Sequence, residues 1–270
     1  MYKDVIISIA IFAGLGLIFG VLLAIASKVF SVKRDEKAEL VGEALPHANC
    51  GACGYSGCAA YAEAVAKGET KELNLCTVGG AEVAMKLGEI MGVAVEAKKP
   101  YVARVMCSGS TQYSKKKYAY HGTTDCLSAA RLSGGDKMCP HACIGLGSCV
   151  SVCKYDALSV IDGVAVVNAK NCVACGLCVN ICPKNIITLI PYDSEYRVGC
   201  VSAESGAMTR QHCDIGCISC GLCVKACEYD AIHIKDFHAI IDYEKCVNCG
   251  KCAEVCPRHV IHMEKPSKKV

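Results

Sequence analysis

The chain has 270 residues, of which 24 are Cys, four are Phe and none is Trp, and its net charge of +3 comes from Lys and Arg that are scattered or in short runs. The length allows two or three domains, and the absence of a long basic face excludes nucleic acid as a partner, a triplet such as Lys115-Lys116-Lys117 being read as a solvated loop. So much cysteine at C-x2-C-x2-C spacing is tighter than a disulfide framework requires and points to metal ligation, with the metal replacing part of the aromatic core.

In chain order, Val5 to Ser27 carries no charge over 23 residues, which as a helix extends about 34 Å and matches a bilayer. The run is too long for a secretory h-region and its start is not basic, so Ala24-Ile25-Ala26 is not read as a cleavage site. Lys28, Lys33, Arg34 and Lys37 follow the span, whereas Lys3 and Asp4 cancel before it, which places the remainder of the chain on the cytoplasmic side. Gly16 and Gly20 form a G-x-x-x-G pair that either admits a neighbouring helix or reflects ordinary glycine content.

After the expected anchor (residues 1–30), Arg34 to Leu45 reads as a charged helix ended near Pro46. Cys50-x2-Cys53-x4-Cys58 and Cys76 follow, with helices expected at Ala59–Lys67 and Ala81–Met91, as a small metal-stapled domain over 31–92. Residues 93–138 read as a packing linker with a strand at Tyr101–Met106 and a polar loop at Tyr118–Thr124. From Cys139 an internal repeat sets in. Four cysteine groups each lead through a short helix into a β-rich segment: Ala157–Val167, with an Asp162-Gly163 hairpin turn, Ile186–Ile190, Ala231–Ile241 and Val260–Met263. Two tandem two-cluster modules, 139–199 and 200–270, are expected. The fold class is α+β: one N-terminal transmembrane helix, a small helical [4Fe-4S] domain and two ferredoxin-like modules.

Cys172-x2-Cys175-x2-Cys178-x3-Cys182-Pro183 and Cys246-x2-Cys249-x2-Cys252-x3-Cys256-Pro257 match the bacterial ferredoxin run in every element. Cys217-x2-Cys220-x2-Cys223-x3-Cys227 matches in spacing, with Glu228 in place of proline. Cys139-x3-Cys143-x5-Cys149-x3-Cys153 is a looser form with its first loop enlarged. Three closely spaced thiolates hold three corners of a cubane and the fourth cysteine reaches the other cluster of its module. The expected sets are therefore Cys139, Cys143, Cys149 and Cys182; Cys172, Cys175, Cys178 and Cys153; Cys217, Cys220, Cys223 and Cys256; and Cys246, Cys249, Cys252 and Cys227.

Cys50, Cys53, Cys58 and Cys76 make a fifth set, for which iron-sulfur is favoured over zinc because redox partners lie in the same chain. Five [4Fe-4S] clusters are expected. Cys107, Cys126, Cys200 and Cys213 are left over and read as inert buried thiols, a sixth cluster being the alternative. His141 and His212 are read as loop residues. No G-x-G-x-x-G follows a strand outside the apolar segment and no P-loop is present, so neither flavin nor NAD is expected on this chain, nor any substrate-converting site.

The order of one N-terminal span, a C-x2-C-x4-C-x17-C domain and two-cluster modules resembles the B subunits of the Rnf family of ion-translocating ferredoxin:NAD oxidoreductases, over essentially the whole chain. The resemblance implies a subunit of a membrane translocase complex, with reduced ferredoxin, the other subunits and membrane lipid as partners, and with flavin, the nicotinamide site and the Na⁺ or H⁺ path on those other subunits. The second ferredoxin module is similar to the longer, clostridial form. A polyferredoxin subunit of another membrane redox complex, or a free polyferredoxin carrier, is the alternative.

Overall fold

The computed structural model describes residues 2–29, 35–96 and 98–264. Lys33 and Arg34, on which the expected orientation partly rests, lie outside them. Helix α1 (Tyr2–Val29) is continuous, but the side chains at positions 4, 5, 8, 10, 11 and 29 lie outside the described set. Among the described residues no helix is long and apolar enough to cross a membrane, so the expected span is not shown here.

Three helices, α2 (Glu36–Ala44), α3 (Cys58–Ala66) and α4 (Gly80–Met91), close around Val41, Leu45, Tyr61, Val65 and Leu87. Asp35 starts α2 by accepting the Lys37 N–H, and Gly92 ends α4 in the left-handed region, as helix termini require. Asn49 Oδ1 accepts the Cys58 N–H at 2.9 Å, fixing the loop that carries Cys50 and Cys53 to the start of α3.

Strand β1 (Tyr101–Val105) comes next. It pairs antiparallel with β4 (Ile187–Pro191), Ala103 opposite Leu189. The strand expected inside a linker is thus one edge of the first module, and its buried residues Val102, Ala103 and Val105 belong to that module's core. Between β1 and β4 run α5 (Cys126–Arg131), α6 (Ser148–Ser151), the hairpin β2 (Leu158–Ile161) and β3 (Val164–Val167), and α7 (Leu177–Ile181).

The second module repeats this order. Strand β5 (Tyr196–Val198) is followed by α8 (Gly206–His212), α9 (Leu222–Ala226), the hairpin β6 (Ile232–Lys235) and β7 (His238–Ile241), α10 (Lys251–Glu254) and β8 (Ile261–Met263), which closes on β5. Each module is therefore two two-stranded sheets enclosing two cysteine runs. The modules meet along the ends of β1 and β5, where Glu264 accepts from Arg104 at 2.9 Å and also from Arg197.

Candidate iron-sulfur centres

The cysteine runs owe their shape to backbone in the left-handed region. Ala174 and Gly176 flank Cys175, Ser219 and Gly221 flank Cys220, and Asn248 and Gly250 flank Cys249, all with positive φ. In each the glycine starts the helix that carries the third cysteine. Gly145 and Gly147 have the same conformations, φ +79° and +82°, but the residue between them is Leu146. The first run of the first module is therefore Cys143-x2-Leu146-x2-Cys149-x3-Cys153, a standard run that lacks its second cysteine.

Four cavities follow from this geometry, each lined by four cysteines. One is lined by Cys217, Cys220, Cys223 and Cys256, one by Cys227, Cys246, Cys249 and Cys252, and one by Cys153, Cys172, Cys175 and Cys178. These are three of the sets expected from spacing. The remaining cavity is lined by Cys126, Cys143, Cys149 and Cys182. Cys139, expected there, does not line it.

Cys126 comes from outside the run and is tied in by tertiary hydrogen bonds. Its N–H donates to Ser148 Oγ at 2.8 Å, and the Ser148 hydroxyl donates to Asp125 Oδ1 at 3.0 Å. Asp125 also caps α5 through the Ser128 N–H. Cys126 thus sits at the start of α5 beside Cys149, in place of a thiol at position 146. The signal in the sequence was the unbroken spacing from Cys143, with a leucine at the second ligand position.

The thiols are largely buried in apolar surroundings. Burial pushes Cys178 and Cys200 up to about 12, and Cys143, Cys149, Cys223 and Cys252 up to about 11. Neighbouring thiols add to this: Cys217, Cys220 and Cys256 raise Cys223, and Cys246, Cys249 and Cys227 raise Cys252. Such groups form thiolates when metal supplies compensating positive charge, with loss of protons on binding. Backbone amides also face sulfur: the N–H groups of Ala103, Ala165 and Ala231 donate to Cys172, Cys143 and Cys227, each at 3.4 Å. Donors of this kind set cluster potentials.

In the N-terminal domain burial raises the Cys76 thiol, and Cys58, Cys50 and Cys53, which face it, add to this. The Gly79 N–H donates to its sulfur at 3.4 Å. Cys50 in turn faces Cys175 of the first module, with Tyr155 beside both thiol sets. In the two modules the thiols stand around cavities.

The histidines take other roles. His212 ends α8, not a loop, and its Nδ1 lies 2.8 Å from Glu204 Oε2. The lysine triplet is likewise engaged: Lys116 pairs with Asp136 at 2.9 Å and Lys117 Nζ donates to the Ser133 carbonyl.

A family model described as a putative Fe-S cluster matches residues 45–78, and one described as a 4Fe-4S dicluster domain matches 142–186 and again 216–260. The chain is 42% identical to the B subunit of the Na(+)-translocating ferredoxin:NAD(+) oxidoreductase complex of Acetobacterium woodii, over 91% of this chain and 74% of the relative. It is 41% identical to the B subunit of the ion-translocating oxidoreductase complex of Methanosarcina acetivorans, over 91% of this chain and 93% of the relative. To the B subunit of the proton-translocating ferredoxin:NAD(+) oxidoreductase complex of Clostridium ljungdahlii it is 40% identical, over 89% and 85%.

Proposed function

The chain belongs to the family of B subunits of ion-translocating ferredoxin:NAD(+) oxidoreductase complexes, and from that premise we propose that it is the membrane-anchored iron-sulfur conductor that takes electrons from reduced ferredoxin into such a complex. The observation that carries this reading is the four-cysteine lining of each of four cavities in two successive dicluster folds. Bound iron-sulfur clusters supply one-electron redox chemistry. The chain's own residues ligate them, shield them from water and aim amide donors at their thiolates.

The ligand sets proposed for the modules are Cys126, Cys143, Cys149 and Cys182; Cys153, Cys172, Cys175 and Cys178; Cys217, Cys220, Cys223 and Cys256; and Cys227, Cys246, Cys249 and Cys252. Cys50, Cys53, Cys58 and Cys76 form the set of the N-terminal domain. The first module is taken to begin at β1 and the second at β5.

Exposure supports a direction for the series. Among the described residues Cys220 and Cys249 are the exposed cysteines, both in the second module, whereas Cys175 faces the N-terminal domain. This exposure supports electron entry from ferredoxin at the second module, with exit through the N-terminal domain towards the membrane. The apolar segment of α1 is the anchor; Ile6, Phe12, Leu17, Phe19 and Leu23 are all exposed. The relatives named for Na⁺ and for H⁺ are 42% and 40% identical to this chain, so likeness in this subunit does not select the ion.

The test is anaerobic fractionation of cells expressing the full chain and a chain lacking residues 1–30, with iron, sulfide and dithionite-reduced EPR measured on each. Membrane association of the full chain alone, with reduction of both by ferredoxin, is the expected result. Zinc in place of iron would overturn the electron-transfer reading, and membrane retention of the truncated chain the anchor.

A further inference from the structure

Four cysteines lie outside every set above and outside both matched dicluster segments: Cys107, Cys139, Cys200 and Cys213. Their positions repeat between the modules. Cys107 stands two residues after β1 and Cys200 two residues after β5. Cys139-x3-Cys143 and Cys213-x3-Cys217 place the other two at the same offset before the first ligand of each module's run. A pair of extra thiols thus recurs at equivalent places in two folds that pack against each other.

The backbone brings the four to one seam. The Ser108 N–H donates to the Gly199 carbonyl at 2.9 Å, setting Cys107 beside Cys200. The Lys115 N–H donates to the His212 carbonyl at 3.1 Å and the Met138 N–H to the Lys115 carbonyl at 2.8 Å, setting Cys139 and Cys213 on either side of one segment. A methyl group at Gly109 would lie 3.6 Å from both Cys107 Sγ and Cys213 Sγ, so these two sulfurs are separated by no more than twice that distance. Cys107, Cys200 and Cys213 are buried and Cys139 is partly so.

We propose that Cys107, Cys139, Cys200 and Cys213 are the ligands of a sixth [4Fe-4S] cluster that bridges the two ferredoxin modules, two thiolates coming from each. The proposal rests on the iron-sulfur reading above. Its place in the series is fixed by hydrogen bonds: the N–H of Cys143, a ligand of the first module, donates to Cys107 Sγ at 3.4 Å, and the N–H of Cys217, a ligand of the second, faces Cys200. Cys107 is also an electrostatic neighbour of each of Cys139, Cys200 and Cys213. Cations complete the repeat. After the Cys-Pro of each module, Lys184 Nζ donates to the Pro140 carbonyl at 2.7 Å and Arg258 Nη2 to the Cys213 carbonyl at 2.8 Å, fixing the two C-x3-C loops.

The experiment is an iron and acid-labile sulfide count with redox-titrated EPR on the full-length protein, purified anaerobically in detergent. Wild type is expected to hold about 24 Fe per chain. The double variants Cys107→Ala/Cys213→Ala and Cys139→Ala/Cys200→Ala should each hold about 20 and lack the same EPR signal, and the quadruple variant should again hold about 20. A wild-type count of about 20, unchanged in the doubles, would remove the sixth cluster and leave the other five standing. Loss of different signals in the two doubles, or about 16 Fe in the quadruple, would show that the four thiols serve different clusters. Zinc without iron in wild type would instead sink the reading beneath it. Because removal of buried thiols can unfold the seam, the wild-type count decides independently of the variants.

Discussion

Leu146 stands where every other run of this chain has a cysteine, and Cys126 lines the cavity it leaves short of a ligand. The substitution Cys126→Ala is therefore expected to cost one cluster, about four Fe. Leu146→Cys in that background should restore it, since Gly145 and Gly147 flank position 146 with the positive φ that the residues on either side of Cys175, Cys220 and Cys249 also have. An iron count with EPR of the two variants checks this, and failure of the leucine replacement to recover iron would count against the register. The spacing of Cys143, Cys149 and Cys153 is legible in the sequence alone. The donor from outside the run is not, because Cys126 reaches the cavity through Ser148 and Asp125, contacts that exist only after the chain has folded. Counting cysteines from Cys139 assigns to this cavity a thiol that does not line it, for the same reason.

The two hairpins show what a turn residue contributes. Asp162 and Gly163 both have positive φ, the type I′ geometry that matches strand twist. The equivalent turn of the second module holds Asp236 and Phe237 at φ +47° and +61°, and the left-handed region costs a side-chain-bearing residue about 1–2 kcal/mol. Phe237 is 53% exposed, so its removal sacrifices little burial. Phe237→Gly should stabilise the second module by about 1 kcal/mol, seen as slower thermal bleaching of its cluster absorbance, with the Ser219 hydroxyl bond to the carbonyl of residue 237 kept. The hairpins, the helices after each run and the three N-terminal helices are written in local residue patterns. Strand β1, expected at Tyr101–Met106, is written there too, but its pairing is not, and strand β5 is not written there at all. Each closes a sheet with a strand far along the chain, β1 with β4 and β5 with β8, and Tyr196–Val198 is too short to carry an alternation of its own.

At the scale of the whole molecule the modules are joined by a small seam with a titratable group in it. His262 Nε2 lies 2.8 Å from Ser108 Oγ, and burial, with Arg197 adding to it, lowers its pKa while Glu264 partly offsets this. The neutral ring is the form the seam accepts. An unfolded histidine takes up its proton near pH 6.5, so below that the open state binds more protons and the seam loses stability as pH falls. Protection from hydrogen exchange at residues 196–201, taken relative to the intrinsic amide rate at each pH, is expected to fall between pH 7.5 and 5.5 in wild type and to change far less in His262→Gln.

The same architecture decides which pieces of the chain can hold metal. The thiol sets adjoin one another in series, Cys50 neighbouring Cys175, Cys149 neighbouring Cys178, Cys107 neighbouring Cys143 and Cys200 neighbouring Cys217. A fragment beginning at residue 98 keeps β1, Cys107 and Cys126, and should hold five clusters, about 20 Fe. A fragment beginning at residue 139, where the repeated cysteine groups begin, lacks the partner strand of β4 and one or more ligands of both the first-module cavity and the seam. Three complete sets then remain, so its count should not exceed about 12 Fe. Measured iron near 20 in the shorter fragment would mean that β1 and the two early cysteines are dispensable, and that neither the exchange of Cys139 for Cys126 nor the bridging site describes the folded protein.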